Sequence, residues 1–385
     1  MTKTKQPAMK DGIIKRGSTY SYVVRERDPE TRRTKPRWVG GFRTREDAKR
    51  ARDKARNDVH RGTYVPPKDL TVGDWLDRWI TGHAVELKPS TVASYRRCID
   101  LYLKPKLGHL QVQGLSPSTL SGVFRDMGMA GGRNGKALSA RSVEYTRAVL
   151  RKAMADAVVE RVVEVNPVTG SKSPRKQGKP KHVTWTGTQQ RTFIEAATES
   201  RWWIVWALAL ATGMRRGELC GLEWSHIDLD AATLSVERSA TQIGTEIVTT
   251  DTKNHENRPV ALDPYTVTAL RAWRKQQAAE RLQWGPAYTV SDLVFTWESG
   301  ARVRPHYLTT QFVADQDGRG LPRMTLHGAR HSHATTLLRE GVPVHIVSKR
   351  LGHRDPSVTL NVYADAIPED DTRAVDVFTR AVWGA

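Results

Sequence analysis

The sequence predicts a multidomain, mainly α-helical protein with small β-sheets, built from a module of short strands and one helix, a helical domain and a mixed α+β domain. Three observations support this fold class. Residues 12–41 alternate apolar and polar side chains in short runs and precede a basic segment of helical composition. Residues 70–168 carry apolar side chains at helical spacing. Residues 183–385 combine a wholly apolar helix with three short strand-like runs, and 385 residues suffice for two or three domains.

A module of short strands followed by one helix is predicted at residues 1–65. Its strand candidates include TYSYVVRE and KPRWVGGF, separated by the turn-rich DPETRR, and a helix capped by Thr44 follows. Glu46 and Asp47 in the first turn and Gly62 beyond the last turn favour this helix. The segment has 19 Lys and Arg against 8 Asp and Glu, a net charge of +11. This charge predicts a separate DNA-binding module, with a merely solvated basic helix as the alternative.

The helical domain is predicted at residues 70–168. Apolar side chains recur at helical spacing in three stretches, and we expect them in the core. They are Leu76, Trp79 and Ile80; Tyr95, Ile99 and Tyr102; and Val149, Ala153 and Ala157. Basic side chains between these stripes are expected to be free to face phosphate groups, namely Arg96, Arg97, Arg147 and Arg151.

A basic linker is predicted at residues 170–182, which hold five Lys or Arg, no acid, and enough Gly, Pro and Ser to disfavour packing. The mixed α+β domain follows at residues 183–385. Its apolar run WWIVWALALA predicts a helix buried on every side. The runs TLSVERS, EIVTTD and RPVAL predict three short strands, and helices are expected from there to the end.

The net charge limits the classes of partner. The chain has 61 Lys and Arg against 41 Asp and Glu, a formal charge of +20, and 38% of its residues are hydrophobic. This combination indicates a folded protein with a polyanionic partner, usually nucleic acid, rather than a disordered chain. The alternative is a soluble protein that is basic for no specific purpose.

Composition also bears on compartment and cofactors. Cys98 and Cys220 cannot form a disulfide framework or a zinc site between them, which is typical of a reducing cytosol. No metal site and no cofactor are predicted. The first residues lack the apolar run of a signal peptide, and no stretch approaches the roughly 18 apolar residues of a membrane span. We therefore expect a cytoplasmic protein with no membrane partner.

Three sequence motifs could carry chemistry. In TGMRRGEL, Gly213 can end the buried helix and place Arg215 beside the core, while Glu218 is expected only to orient an arginine or favour the helix start. In LHGARHSH, His327 and Arg330 lie at i and i+3 on one helical face. In LGHRDPSVTLNVY, His353 precedes Tyr363 by ten residues. Each motif alone is more often structural than catalytic.

The order of these motifs is far more specific than any one of them. Arg, HxxR, LGH and Tyr, with a strand hairpin carrying Lys253 between the first two, resemble the boxes of the tyrosine recombinase or phage integrase family. The resemblance covers nearly the whole chain. Residues 70–168 resemble the family's helical, SAM-like core-binding domain, and residues 183–385 its catalytic domain. Residues 1–65 resemble the three-strand-plus-helix (β-β-β-α) arm-type DNA-binding domain of longer phage-type integrases.

The resemblance implies a catalytic set made up of Arg215, Lys253, His327, Arg330 and His353, with Tyr363 as the nucleophile. Two arginines suit a phosphate clamp, and His353 could add a third donor. A histidine can take the proton of the attacking tyrosine, and a lysine can protonate the leaving 5′-oxygen. The implied intermediate is a 3′-phosphotyrosine, which retains the bond energy and requires neither ATP nor metal.

The resemblance also implies partners. They are double-stranded DNA attachment sites of the core type and, through residues 1–65, of the arm type. The implied assembly is a homotetramer on DNA, with a directionality factor or a bacterial DNA-bending protein as further candidates. The carboxy-terminal helix, DTRAVDVFTRAVW, either docks onto a neighbouring protomer or packs on its own domain.

Three alternatives to an integrase of a phage or other mobile element stay open. A chromosome-dimer-resolving recombinase shares the chemistry but generally lacks a basic first module. A type IB topoisomerase would form the same phosphotyrosine and relax plasmids that have no specific site. A DNA-binding regulator would use the charge and form no covalent adduct.

Overall fold

The computed structural model describes residues 11–27, 34–61, 64–66, 69–174, 183–251, 257–353, 355–363 and 371–384. The chain forms two compact units, Met1–Lys179 and Pro180–Ala385. Among the helices of these described ranges, none combines the length and apolar character that crossing a membrane requires.

The first unit begins with a three-stranded antiparallel sheet and one helix. The strands are β1 (Ile13–Arg16), β2 (Thr19–Arg27) and β3 (Thr34–Phe42), in the order β1-β2-β3. Helix α1 (Arg45–His60) follows, and its first turn is capped by the Thr44 hydroxyl, which accepts from the Asp47 backbone N–H at 3.1 Å. The predicted β-β-β-α module is confirmed. The expected cap at Gly62 lies outside the described residues.

A small core holds this module together. Ile13, Tyr22 and Val24 of the sheet pack against Ala48 and Ala55 of the helix, and all five side chains are buried. The alternation predicted for the strands arises because one face of the sheet covers α1 while the other faces solvent.

The rest of the first unit is helical. Its helices are α2 (Val72–His83), α3 (Pro89–Cys98), α4 (Lys104–Leu107), α5 (Pro117–Ala130) and α6 (Ala140–Val159), and a π-helical turn at Ile99–Leu103 joins α3 to α4. The three predicted apolar stripes pack into one core, in which Tyr95 and Tyr102 are only partly buried.

Two tryptophans tie α2 to α6. The Trp75 indole N–H donates to the Ala153 carbonyl at 3.1 Å, and the Trp79 indole N–H donates to the Asp156 carboxylate at 2.6 Å. Both rings lie in the core, and their polar ends are satisfied by the helix opposite.

The prediction that Arg147 is free to face phosphate was wrong. Its guanidinium bonds the Val168 carbonyl at 3.3 Å and the Ser171 carbonyl at 3.1 Å, so it is used to fasten the end of the helical domain. Arg96, Arg97 and Arg151 are exposed, as expected.

The second unit consists of helices and two small antiparallel sheets, and its core is built around one apolar helix. Helices α7 (Gly187–Ala196), α8 (Trp203–Thr212) and α9 (Arg216–Cys220) come first. An antiparallel sheet has the order β4-β5-β8, formed by β4 (Ile227–Asp228), β5 (Thr233–Val236) and β8 (Arg258–Ala261). A separate hairpin pairs β6 (Arg238–Ile243) with β7 (Glu246–Asp251). Helices α10 (Pro264–Trp284) and α11 (Pro305–Ala314) follow.

The chain ends in four further helices: α12 (Leu326–Arg339), α13 (Val344–Leu351), α14 (Pro356–Tyr363) and α15 (Asp371–Trp383). The three predicted strands are present, and the run TLSVERS divides between β5 and β6. The predicted fold class, mainly α with small sheets in several domains, is confirmed. Strand β4 and most of β6 were missed because short polar edge strands lack a clear alternation.

Helix α8 is the buried centre of the second unit. Eight of its ten residues are buried, and it packs between α7, α10 and α12. The Trp206 ring lies inside this core, and its N–H donates to the Asp315 carboxylate at 2.8 Å. Since the helix is covered on all sides, the chain that leaves its carboxyl end at Gly213 starts from a rigid point.

We predict that Trp75→Ala destabilises the helical domain by about 3–5 kcal/mol, because it removes a fully buried indole and leaves the Ala153 carbonyl without its donor. Hydrogen exchange of peptides from α2 and α6 measures this loss as faster exchange. Trp284→Ala is the control: this ring is 45% exposed, and its loss is expected to cost less than about 0.5 kcal/mol. Unchanged exchange in Trp75→Ala would contradict the prediction.

Candidate active site

The candidate site starts at a left-handed glycine. Helix α8 ends at Gly213, whose φ is +66°, and a Cβ there would come within 2.7 Å of Leu351 Cδ2 and 2.9 Å of His333 Cδ2. Only glycine combines this backbone conformation with so close an approach. The turn places Arg215 as the residue before α9, and its backbone N–H donates to Glu218 Oε2 at 2.8 Å.

A buried carboxylate organises the first arginine. Glu218 is 4% exposed at its side chain and accepts from Arg215 Nη1 at 2.8 Å. Arg258 bonds both carboxylate oxygens, at 3.0 and 2.7 Å. Burial alone would raise the pKa of Glu218, but the hydrogen bonds and charge of Arg258, together with the charge of Arg215, lower that pKa to about 2. Glu218 is therefore ionised, and it orients an arginine as the sequence predicted.

The second arginine is held by two helix ends. Arg330, on α12, is 2% exposed and donates to the Gly213 carbonyl and to the Leu351 carbonyl, each at 2.7 Å. Its Nη2 also lies 2.9 Å from His353 Nε2. The carboxyl ends of α8 and α13 thus meet on one guanidinium.

The hydrogen bonds of His353 define its protonation state. A guanidinium only donates, so His353 Nε2 accepts from Arg330, and Nδ1 carries the proton that is donated to Thr359 Oγ1 at 2.8 Å. Burial, followed by the charges of Arg330, Arg215 and Arg258, lowers the pKa of His353 to about 4. The imidazole is neutral at pH 7. In this geometry it accepts from Arg330, and it can donate to a phosphate only after it turns away or takes up a proton.

A second hydrogen-bond network is formed by His333 and Arg350. His333 Nε2 accepts from Arg350 Nε at 3.1 Å, so its Nδ1 donates to the Leu210 carbonyl at 2.8 Å. Arg350 Nη2 also bonds the carbonyls of Ala211, at 2.9 Å, and Ala261, at 3.1 Å. Burial, and then the charge of Arg350, lowers the pKa of His333 to about 4. These contacts join the end of α8 to β8 and α13.

Of the other three predicted site residues, the structure describes one with its side chain, one by its backbone alone, and one not at all. His327 lies exposed in the first turn of α12, with its ring 4.9 Å from that of His331 and three residues before Arg330. Tyr363 is the last residue of α14, one helical turn after Thr359, and its side chain lies outside the description. Lys253 lies outside the described residues, between β7 and β8.

The structure brings Arg215, Arg330 and His353 together at one junction, because Arg215 Nη2 also contacts the Gly352 carbonyl at 3.5 Å. Three arginines and one carboxylate give this junction a net charge of +2 beside a neutral imidazole. The Arg215 side chain is 43% exposed, so an anion can reach it. Such a site can hold a phosphate group and stabilise added negative charge on it.

Sequence reasoning missed Arg258, His333 and Arg350. An arginine at the start of a strand and a histidine inside a helix give no local signal, since their partners lie 17 to 139 residues away in the chain. Within the residues that the structure describes, no group of three or more His, Cys, Asp or Glu side chains could hold a metal ion.

Comparison with known proteins gives matches to two family models. Residues 186–369 match the model described as the phage integrase family. Residues 71–125 match the model described as the phage integrase N-terminal SAM-like domain. The SAM-like segment includes α2 to α4 and most of α5, and the phage integrase segment includes the junction described above.

Curated relatives match over nearly the full length. A tyrosine recombinase XerC-like protein of Caldanaerobacter subterraneus subsp. tengcongensis is 27% identical, over 96% of this chain and 98% of its own. An integrase of Streptomyces ambofaciens is 27% identical, over 90% of this chain and 89% of its own.

Solved structures share the fold. The Tn1549 transposon integrase in complex with transposon right end DNA has a TM-score of 0.66 at 18% identity, over 81% of this chain and 99% of that one. The lambda integrase tetramer bound to a Holliday junction has a TM-score of 0.59 at 20% identity, over 96% of this chain and 99% of that one.

The lowered pKa of His333 predicts a stability loss in acid. The unfolded chain protonates this histidine near pH 6.5, while the folded chain resists protonation until about pH 4. As the pH falls from 7 to 5, the unfolded state gains protons that the folded state does not, so this one residue should cost about 2 kcal/mol of folding free energy.

Urea titrations of wild type and His333→Gln at pH 7 and pH 5 measure this loss. Glutamine does not titrate, so the free energy of unfolding of the variant should fall about 2 kcal/mol less than that of wild type. The same pH dependence in both proteins would show that His333 is not the group responsible.

Proposed function

Because this chain belongs to the phage integrase family, whose members cleave DNA with a tyrosine, we propose that Tyr363 is its nucleophile. The chain is a tyrosine-type site-specific DNA recombinase. The proposed catalytic set consists of Arg215, Lys253, His327, Arg330 and His353. The observation that carries the proposal is the junction at which Arg330 bonds both helix ends and His353, while His353 bonds Thr359 of the tyrosine helix.

The junction suits attack on a phosphodiester. A bond forms between the Tyr363 hydroxyl oxygen and phosphorus, and the bond from phosphorus to the 5′-oxygen breaks. In the transition state negative charge gathers on the non-bridging oxygens, and the arginine forks can bond those oxygens without a metal. Binding the developing charge more tightly than the starting phosphate is what accelerates the reaction.

Proton transfer completes the step. A tyrosine hydroxyl has an ordinary pKa of about 10, so it needs a base as it attacks, and His327 is the proposed acceptor. Lys253 is the proposed acid that protonates the leaving 5′-oxygen. The 3′-phosphotyrosine retains the energy of the broken bond, and attack by a 5′-hydroxyl of another duplex rejoins the strands and restores the tyrosine.

We propose that the helical domain, residues 70–168, and the catalytic domain, residues 183–385, which are joined by the basic linker at 170–182, bind core-type attachment sites. Residues 1–65 would bind arm-type sites. In the first module, the guanidinium of Arg16 lies 4.7 Å from the centre of the Trp38 ring, and that ring is 40% exposed. A cation beside an exposed aromatic ring on a basic sheet supports contact with a nucleic acid backbone.

We propose a homotetramer on DNA as the working assembly. Helix α15 supports it, because its described apolar side chains are exposed: Val375, Val377, Phe378, Val382 and Trp383. Such a face needs a cover, and a neighbouring protomer can supply one. A directionality factor or a DNA-bending protein would act on the same assembly, and the reaction would take place on DNA in the bacterial cytoplasm.

The proposed biological role is integration and excision of a phage or other mobile element. Chromosome-dimer resolution is the second candidate, since one near-full-length relative is named XerC-like. Plasmid relaxation without a specific site would favour a type IB topoisomerase, and failure to form an adduct would favour a DNA-binding regulator.

We predict that Tyr363→Phe binds DNA but forms no covalent adduct. A nicked suicide duplex carrying the attachment sequence, run on a denaturing gel in EDTA and without ATP, measures the adduct. Tyr265→Phe is the matched control, because Tyr265 is exposed on α10 and lies outside the proposed catalytic set. The Tyr265→Phe variant should form as much adduct as wild type. An adduct in Tyr363→Phe would disprove the nucleophile, and an adduct that required Mg²⁺ would disprove the metal-independent reaction.

We predict that removing residues 1–65 spares covalent cleavage of a short core duplex, because every proposed catalytic residue lies in the second unit. The same truncation should impair integration and remove part of the footprint on the attachment region. Footprinting and recombination assays of the full and truncated chains make the comparison. Identical footprints and equal recombination would show that this module is not an arm-binding domain.

A further inference from the structure

Arg258 is the buried cation of the junction whose role the proposed reaction leaves unassigned. It begins β8, only five residues after Lys253 in the sequence, and its side chain is 11% exposed. Both of its terminal nitrogens bond the Glu218 carboxylate, at 3.0 and 2.7 Å. Its fork faces the Glu218 carboxylate, and its side chain is far less exposed than that of Arg215, which is 43% exposed and which an anion can reach.

Glu218 presents an electrostatic problem that Arg258 solves. The carboxylate also bonds Arg215 at 2.8 Å, and it is ionised. A buried carboxylate paired with Arg215 alone would neutralise that guanidinium and draw it away from the phosphate. With Arg258 on both carboxylate oxygens, the three groups keep a net charge of +1, and the outermost group, Arg215, is the one that solvent and an anion can reach.

Arg258 also connects the first arginine to the helix that precedes His353. Its Nε donates to the Arg350 carbonyl at 3.0 Å. Its side chain lies against Gly352, where an added Cβ would come within 3.0 Å of Arg258 Cδ. The Gly352 carbonyl in turn contacts Arg215. One side chain therefore joins Glu218, the end of α13 and the strand that follows the Lys253 segment.

We infer that Arg258 is a positioning residue of the recombinase reaction, which holds Glu218 so that Arg215 keeps both its orientation and its positive charge for the scissile phosphate. This inference rests on the proposed function. Arg258 acts through Glu218 and Arg215 and does not itself touch the reacting phosphate.

The test compares single-turnover cleavage rates of the full-length protein at saturating suicide duplex, the same attachment-site DNA as above. Arg258→Met should lower the rate by on the order of 10²-fold, because the unbalanced carboxylate captures Arg215. Adding Glu218→Gln to that variant should raise the rate again, by roughly tenfold, because the amide carries no charge with which to hold Arg215.

Normalising each rate to the folded fraction separates a positioning role from a merely structural one. Loss of one partner of a buried pair destabilises the fold and removal of the second partner relieves that loss, so a purely structural Arg258 changes only the folded fraction and predicts wild-type normalised rates in both variants. Should Arg258→Met fail to fold, Arg258→Lys carries the test. Its single ammonium cannot hold both carboxylate oxygens, and a rate several-fold below that of wild type is expected.

The second unit contains a matched control. Arg201 and Glu280 form a pair of similar burial, 13% and 11% exposed, with two hydrogen bonds of 2.5 and 2.9 Å between the same kinds of atoms. Arg201→Met removes a comparable bidentate pair, and the cleavage rate of its folded fraction should stay within about twofold of wild type.

The outcomes are distinct. A wild-type rate in Arg258→Met or Arg258→Lys, or a double variant no faster than Arg258→Met, overturns the inference and leaves the proposed function standing. Loss of cleavage in Arg201→Met equal to that in Arg258→Met also overturns it, since any buried pair would then do the same. Absence of an adduct in the wild type overturns the proposed reaction and the inference together.

Discussion

The positions of the arginines at the junction depend on carbonyl groups that two helices leave without partners. The last carbonyls of a helix have no N–H of their own and carry the negative end of the helix dipole. Helices α8 and α13 direct these carbonyls toward one point, where Arg330 bonds both Gly213 and Leu351. Guanidinium groups supply the missing donors, and the carbonyls reduce the repulsion between cations packed close together. The proposed phosphate clamp can therefore exist in the folded protein before DNA arrives.

Two glycines make this convergence possible. Gly213 and Gly352 both end their helices in the left-handed conformation, and each is approached by a side chain that a Cβ would displace. The residue that follows each turn is functional in the proposed reaction or adjoins one that is: Arg215 stands two residues after Gly213, and His353 directly after Gly352. The short motifs around these glycines thus mainly specify where a helix ends, and the proposed catalytic residues follow directly after the helix end.

Much of this could be predicted because it is local. Helix ends, a glycine turn before Arg215, the spacing of His327 and Arg330, and an orienting role for Glu218 all follow from neighbouring residues. Arg258, His333 and Arg350 could not be predicted, since their roles exist only where distant segments meet. The same limit explains the error at Arg147, whose sequence surroundings resemble those of any exposed helical arginine while its partners lie in a loop about 20 residues away. The neutral state of His353 likewise depends on partners brought from three elements.

The small core of the β-β-β-α module has an evolutionary consequence. Its buried side chains, among them Ile13, Tyr22 and Val24, belong to a cluster separate from that of the helical domain, and among the described residues the two clusters share no buried member. A lineage can therefore exchange or rebuild this module without repacking the domain beside it. On its proposed role as the arm-binding domain, the module can diverge by gene fusion and drift while the catalytic domain stays under its own selection, so related mobile elements can change the sites they recognise faster than they change their chemistry.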